Sequence, residues 1–284
     1  MIPDFDSVLP SPELMHQRID QFTEEEPRLA ALYQERIAGR AVEVIETQLR
    51  GDSYRPISRD CYHINIGGEE CVMFIVKTAK TAKPERGLGP RLRGVALPLK
   101  YDKVAVELFE YFQENDTPWE NLKYRTYLRR CKTMFEGFQY YIEDYEKAIY
   151  QLLEGERRTI KTVNNQGKEV NQTETVQMHL REAGTHIIRH IIIDRLLSEQ
   201  MDFNSKMLRL YAGHTGNKRD DYGNYTPMQF KYLHMNIRET EGLEEIVVKK
   251  LAESAMSYIP NIINYYKNPP RDNQGDVEII QRLG

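Results

Sequence analysis

The pattern of apolar residues changes period twice, and that change constrains the fold more than any other feature of this chain. From Glu26 to Leu49 the apolar positions Leu29, Leu32, Tyr33, Ile37, Val42, Val44 and Ile45 recur at helical spacing, with Gly39 marking a turn between two helices. From Cys61 to Val76 the spacing becomes strand-like: Tyr62-His63-Ile64-Asn65-Ile66, then Gly67-Gly68, then Cys71 to Val76. Two β-rich runs joined through paired glycines predict a hairpin. After a Lys/Gly/Pro-rich loop from Thr78 to Gly94, Val95-Ala96-Leu97-Pro98-Leu99 predicts a third short strand. A small antiparallel sheet set inside an otherwise helical chain is the expected architecture, an α+β fold that is mostly helical.

The remaining segments fill in that frame. Helical patterns run from Tyr101 to Glu154 with a break near Asn115-Asp116-Thr117-Pro118, and Met178 to Gln200 is also expected to be helical. The polar stretch from Thr159 to Thr175, which contains Asn164-Asn165-Gln166-Gly167, predicts a loop or loose hairpin. Residues 1–27, rich in Pro, Asp and Glu, are expected to form an arm or short helix ahead of a single domain spanning 28–284. From Gly242 to Tyr258 the spacing of Leu243, Ile246, Val247, Leu251, Met256 and Tyr258 predicts an amphipathic helix.

Bulk properties exclude several classes. A 284-residue chain with 40% hydrophobic and 29% charged residues can bury a sizeable core, and no apolar run approaches the roughly 20 residues of a membrane span. The acidic N-terminus lacks the basic and apolar regions of a signal peptide, and a cytoplasmic protein is expected. Cys61, Cys71 and Cys131 are odd in number and form no CxxC, so buried thiols are expected rather than disulfides or a zinc site. The net charge of −4 conceals two basic clusters. One comprises Lys77, Lys80, Lys83, Arg86, Arg91 and Arg93 against the single acid Glu85; the other comprises Lys123, Arg125, Arg129, Arg130 and Lys132. Each is a solvated face or a track for a polyanion.

The chemistry-bearing residues begin with His186-Ile187-Ile188-Arg189-His190. On a helix, residues three and four apart share a face, so His186, Arg189 and His190 are expected to form an anion cradle. Arg40 follows Gly39 and precedes Glu43 by three; Lys77 stands in the β-rich region; Gly213-His214 lies 25 residues beyond Arg189. In that order these elements resemble the active-site series of the tyrosine recombinase, or phage integrase, family. The matching stretches, about 28–99 and 178–240, cover roughly half the chain.

The series closes in that family with a nucleophilic tyrosine. Thr226-Pro227-Met228-Gln229 carries the residues that start a helix, Tyr232 lies on it, and Lys231-Tyr232-Leu233-His234 resembles the family's basic-Tyr-x-His ending. The distance from His214 to Tyr232 exceeds the usual spacing, which falls between Tyr222 and Tyr225, so these two remain alternatives.

The resemblance implies a tyrosine-recombinase-like catalytic domain that cuts and rejoins double-stranded DNA through a 3′-phosphotyrosyl link. It implies Arg40, Lys77, His186, Arg189, His214 and Tyr232 as catalytic residues, Glu43 as an orienting residue, and neither metal nor cofactor. It further implies a homo-tetramer on DNA, monomeric when free, with the C-terminal helix docking on a neighbour or packing in its own core. A telomere resolvase, a type IB topoisomerase-like enzyme and a non-cutting DNA-binding protein share the pattern. The 39 residues before Arg40 are too few for a separate DNA-clamping domain, so a catalytic fragment or a reduced recombinase is expected. A metal hydrolase using His186, His190 and His214 lacks the glutamate that the zinc-protease helix requires, since Ile187 stands there.

Overall fold

The computed structural model describes residues 12–45, 47–49, 52–54, 56–78, 91–136, 139–143, 157–163, 169–175, 178–182, 184–197, 205–213 and 243–267. It is a mixed α/β fold, mostly helical, with a small three-stranded antiparallel sheet. Helix α1 (Pro12–Ile19) is the short helix expected near the N-terminus, and its Met15 and Ile19 are wholly buried. Helix α2 (Glu25–Arg36) ends before the Gly39 turn. The second helix expected before Leu49 is only one turn long, α3 (Ala41–Val44), and the chain then enters a strand pair, β1 (Thr47–Leu49) and β2 (Asp52–Tyr54).

The main sheet has the order β3-β4-β5 and consists of β3 (Cys61–Ile66), β4 (Glu69–Thr78) and β5 (Arg91–Pro98). Gly67 and Gly68 both take positive φ, 63° and 91°, which is why the hairpin turns there. Strand β5 starts four residues earlier than the apolar run implied, because Arg91, Leu92, Arg93 and Gly94 extend the ladder opposite Thr78, Lys77, Val76 and Ile75.

Successive side chains alternate across a sheet. One face therefore carries Phe74, Val76, Thr78 and Arg93, and the other Met73, Ile75, Lys77 and Gly94. The first face packs on α2 and on α4 (Lys103–Glu114) through an aromatic cluster: Phe74 lies 5.1 Å from Tyr33 and 5.1 Å from Phe112, ring centre to ring centre. Trp119 joins that cluster 5.3 Å from Tyr33, and its indole N–H donates to Val44 O at 2.8 Å, tying α3 to the core. The second face is covered by α8 (Leu243–Ala255), whose Val247, Leu251 and Ala255 are buried while Ile246 remains exposed. The helix thus packs on its own sheet, as one of the expected placements had it. Between α8 and α9 (Ile259–Lys267), the Tyr258 hydroxyl donates to Gly94 O at 2.9 Å and accepts from Ala96 N at 3.1 Å, closing the outer edge of β5.

The helical expectations after Tyr101 hold for α4 and α5 (Tyr124–Met134) and fail at Gln139–Glu143, while 144–154 lie outside the described residues. Strand β6 (Gln139–Glu143) pairs antiparallel with β9 (Met178–Glu182), and between them β7 (Arg157–Val163) pairs with β8 (Glu169–Thr175). The expected hairpin over 159–175 is thus present, but Met178–Glu182 is strand rather than helix. Met178 and Leu180 alternate with His179 and Arg181, a two-residue period hidden beside the apolar run that follows it. Helix α6 runs only from Thr185 to Leu197 and is followed by α7 (Ser205–Ala212). Cys61, Cys71 and Cys131 are free and buried, as expected.

Candidate functional site

The site is built around the C-terminal end of α2. Past Arg36 the backbone leaves the helix, with Ala38 at φ 44°, so the last carbonyls have no partner within the helix. Side chains from three distant elements and one from α2 itself supply the missing donors. The Tyr211 hydroxyl of α7 donates to Arg36 O, Arg93 Nη1 to Ile37 O at 2.8 Å, Arg189 Nη1 to Ala38 O, and Gln34 Nε2 to Gly39 O at 3.2 Å. Cations at a helix C-terminus also meet the negative end of its dipole. Gln34 further donates to Thr185 O at 2.8 Å and accepts from the Tyr127 hydroxyl at 2.7 Å, which brings the starts of α3 and α6 together against α5.

Immediately after this junction, α3 is closed by Glu43. Its carboxylate accepts the Arg40 backbone N–H at 3.1 Å, Arg40 Nη1 at 3.0 Å and Arg93 Nη2 at 3.2 Å. Arg189, whose second nitrogen donates to Ala212 O at 2.8 Å, completes a group of three guanidiniums about one buried carboxylate. Arg93 and Arg189 are only 5% and 3% exposed, whereas the Arg40 side chain is 25% exposed. Burial pulls the pKa of Arg189 down to about 9; the charges of Arg93 and Arg40 add to the effect and Glu43 opposes it. Arg189 remains charged at neutral pH, so among the described residues the group sets three positive charges against the one negative charge of Glu43. A buried cluster with surplus cations and one partly exposed member can hold an oxyanion.

The arginines expected from opposite ends of the series are therefore neighbours. The other expected site residues are distributed differently. Arg189 does not share a cradle face with the histidines: its guanidinium turns inward, His186 is exposed, and the His186 and His190 rings stand edge to face at 4.8 Å. The apolar run Ile187, Ile188, Ile191 and Ile192 is buried around Arg189 and draws that side of the helix into the core. Lys77 pairs with Leu92 near the end of β4, on the sheet face opposite Arg93. Its neighbour Thr78 does face the site, since a Cβ on Gly213 would lie 2.9 Å from Thr78 Cγ2. Gly213 itself takes φ 68° at the exit of α7. His214, Tyr222, Tyr225 and Tyr232 lie outside the described residues, as do Lys80, Lys83 and Arg86 of the first basic cluster.

Arg93 is the residue that sequence reasoning missed, because it was grouped with a surface stripe. Its signal was present: a single charge inside Leu92-Arg93-Gly94-Val95-Ala96-Leu97, a run otherwise fit for a core strand. The second basic cluster does lie on a surface, with Lys123, Arg125, Arg129 and Lys132 exposed on or beside α5, while Arg130 pairs with Glu24 at 2.6 Å. Among the described residues no group of three His, Cys, Asp or Glu side chains could hold a metal ion, and no helix is long and apolar enough to cross a membrane. No protein-family model, curated protein or solved structure matches this chain.

Proposed function

We propose that this chain is a DNA strand transferase of the tyrosine recombinase type, breaking and rejoining DNA through a 3′-phosphotyrosyl intermediate. The observation that supports this reading is the meeting of Arg40 and Arg189 at one under-neutralised site, with Arg189 bonded to the carbonyl of Ala38, 151 positions away in the chain. Arg40 and Arg189 each suit the non-bridging oxygens of a phosphodiester, and their charge grows in value as negative charge builds in the pentacoordinate transition state. A tyrosine of pKa about 10 needs both that stabilisation and a proton acceptor. Tyr232 is assigned the attack, His186 the tyrosine proton and His214 a further hydrogen bond to the phosphate; Lys77, expected as the general acid, stands on the sheet face opposite Arg93 and is given no part in the step, the leaving 5′ oxygen taking its proton from solvent.

In this scheme the tyrosine oxygen bonds to phosphorus as the 5′ oxygen departs, and the bond energy is kept for rejoining to a 5′-hydroxyl. The step therefore balances without a nucleotide or an oxidant. Its DNA partner would lie across the exposed basic face of α5, which packs against the elements carrying both arginines. Assembly of four copies on DNA is part of the same proposal.

Nicked duplexes that release the strand beyond the cut, drawn from a sequence-randomised pool, trap the covalent species. Wild type should yield an SDS-resistant protein–DNA adduct, and Tyr232→Phe should abolish it while Tyr222→Phe and Tyr225→Phe retain it. Duplex binding without any adduct would overturn strand transfer and favour a DNA-binding protein that does not cut.

A further inference from the structure

Arg93 joins the segments on which the site residues stand. It reaches from the edge strand β5 to Glu43 Oε2 in α3, to Ile37 O at the end of α2, and to Tyr211 O at the end of α7. Arg40 stands three residues after Ile37, and Gly213-His214 begins two residues after Tyr211. One guanidinium thus fixes the points from which Arg40 and His214 depart. The contact with Gly213 is close: a Cβ there would lie 3.0 Å from both Arg93 Cδ and Arg93 Nε. Because Gly213 also takes positive φ, glycine is the residue that suits this position on both counts.

Two features separate this arrangement from ordinary core packing. A charged residue in an apolar strand is costly to bury, and Arg93 Nε is buried without a hydrogen-bond partner among the described residues. Second, Glu43 receives the guanidiniums of Arg93 and Arg40 on different oxygens, Oε2 and Oε1, while Oε2 also accepts the Arg40 backbone N–H, so Arg93 holds the buried oxygen and the Arg40 side chain keeps the side nearer solvent. At 5% exposure Arg93 does not itself reach a phosphodiester.

We propose that Arg93 is a positioning residue for phosphate activation: it fixes Glu43, and through Glu43 the guanidinium of Arg40, while holding the Gly213 turn in place. This rests on the strand-transfer reading above. Carboxylates that orient a functional group are themselves held by outer partners, and loss of such a partner slows a reaction without removing the group that touches substrate.

The test compares wild type, Arg93→Met, Arg93→Lys, Arg40→Ala and the Arg93→Met/Arg40→Ala double variant. Adduct formation is followed on saturating nicked duplex, with duplex affinity and melting temperature measured in parallel. Arg93→Met should slow the adduct step roughly 10- to 100-fold with affinity held within about 3-fold, and Arg93→Lys should recover part of the rate. The double variant should be scarcely slower than Arg40→Ala, because both changes disable one device. On a duplex whose scissile phosphate is a methylphosphonate, which carries no charge to balance, Arg93→Met should react within several-fold of wild type.

An equal slowing on both substrates would make Arg93 merely structural and overturn the proposal, as would a wild-type rate for Arg93→Met. Should Arg93→Met fail to fold, Arg93→Lys and Glu43→Gln carry the same comparison. Absence of an adduct with wild type overturns the parent reading and this inference with it, whereas a wild-type adduct with a fully active Arg93→Met overturns this inference alone.

Discussion

Arg189 serves two buried carbonyls, Ala38 O and Ala212 O, with one guanidinium. Replacing it with methionine keeps most of the volume but leaves both acceptors without that donor, a loss of about 2–4 kcal/mol that urea unfolding should register. Part is returned because the variant no longer crowds a third cation beside Arg40 and Arg93. The surplus charge itself makes a separate prediction. Burial lowers the Arg189 pKa and the charges of Arg93 and Arg40 add to it; an oxyanion that enters the group offsets that added repulsion, so inorganic phosphate or vanadate should stabilise the folded chain. At ten times its Kd the gain is about 1.4 kcal/mol, or roughly 2–4 °C in melting temperature. Arg40→Ala, which removes the cation nearest solvent, should melt at a temperature independent of the anion.

Among the elements, α5 and α8 each make a separable contribution. Helix α5 buries Tyr127 and Cys131 and exposes Arg125 and Arg129 on its other side. The double change Arg125→Glu/Arg129→Glu should lower duplex affinity and reduce the slope of log affinity against log salt by about 2, with little effect on the adduct rate at saturation. Helix α8 lies on the sheet where Gly94 offers no side chain; a Cβ there would stand 2.8 Å from Leu251 Cβ and 2.9 Å from Met73 Sδ. Gly94→Ala should therefore destabilise the fold by about 1–3 kcal/mol in urea titration.

Across the whole molecule a second buried ionic chain links α1, α2 and α4. His16 bonds Glu35 at 2.7 Å, Arg36 lies beside Glu35, and Arg36 meets Asp102, the N-cap of α4, through two bonds of 2.7 and 3.1 Å. Burial opposes the charged form of His16, but the Glu35 carboxylate outweighs it and the pKa rises from 6.5. Burial likewise opposes charge on Glu35, and Arg36 with His16 brings its pKa below 4.5. The raised histidine contributes stability that is full below 6.5 and fades as pH climbs through its folded pKa. The lowered carboxylate contributes stability that is full above 4.5 and fades as pH falls through its folded pKa. The stability difference between wild type and His16→Gln should therefore be greatest between about pH 4.5 and 6.5 and shrink on either side, as measured by urea unfolding across pH.

Local pattern was enough for much of the architecture. The glycine pair with β-rich flanks placed the β3–β4 hairpin, helical spacing placed α2, α4 and α8, and the polar stretch at 159–175 placed the β7–β8 pair. These depend on interactions a few residues apart, which composition and spacing encode directly. Where a short strand lay against an apolar helix, as at Met178–Glu182, local period alone misled, because β6 lies 35 or more residues earlier.

The pairing of Arg40 with Glu43 was equally legible, being three residues long. What the chain's order could not disclose was the fate of each buried charge. That Arg93 leaves its basic neighbours to brace Glu43, that Arg189 turns inward while His186 stays in solvent, and that Lys77 falls on the opposite sheet face were decided by tertiary structure. The energy of a buried ion depends on the partners that meet it in space, and those partners come from α2, α3, α7 and the sheet at once.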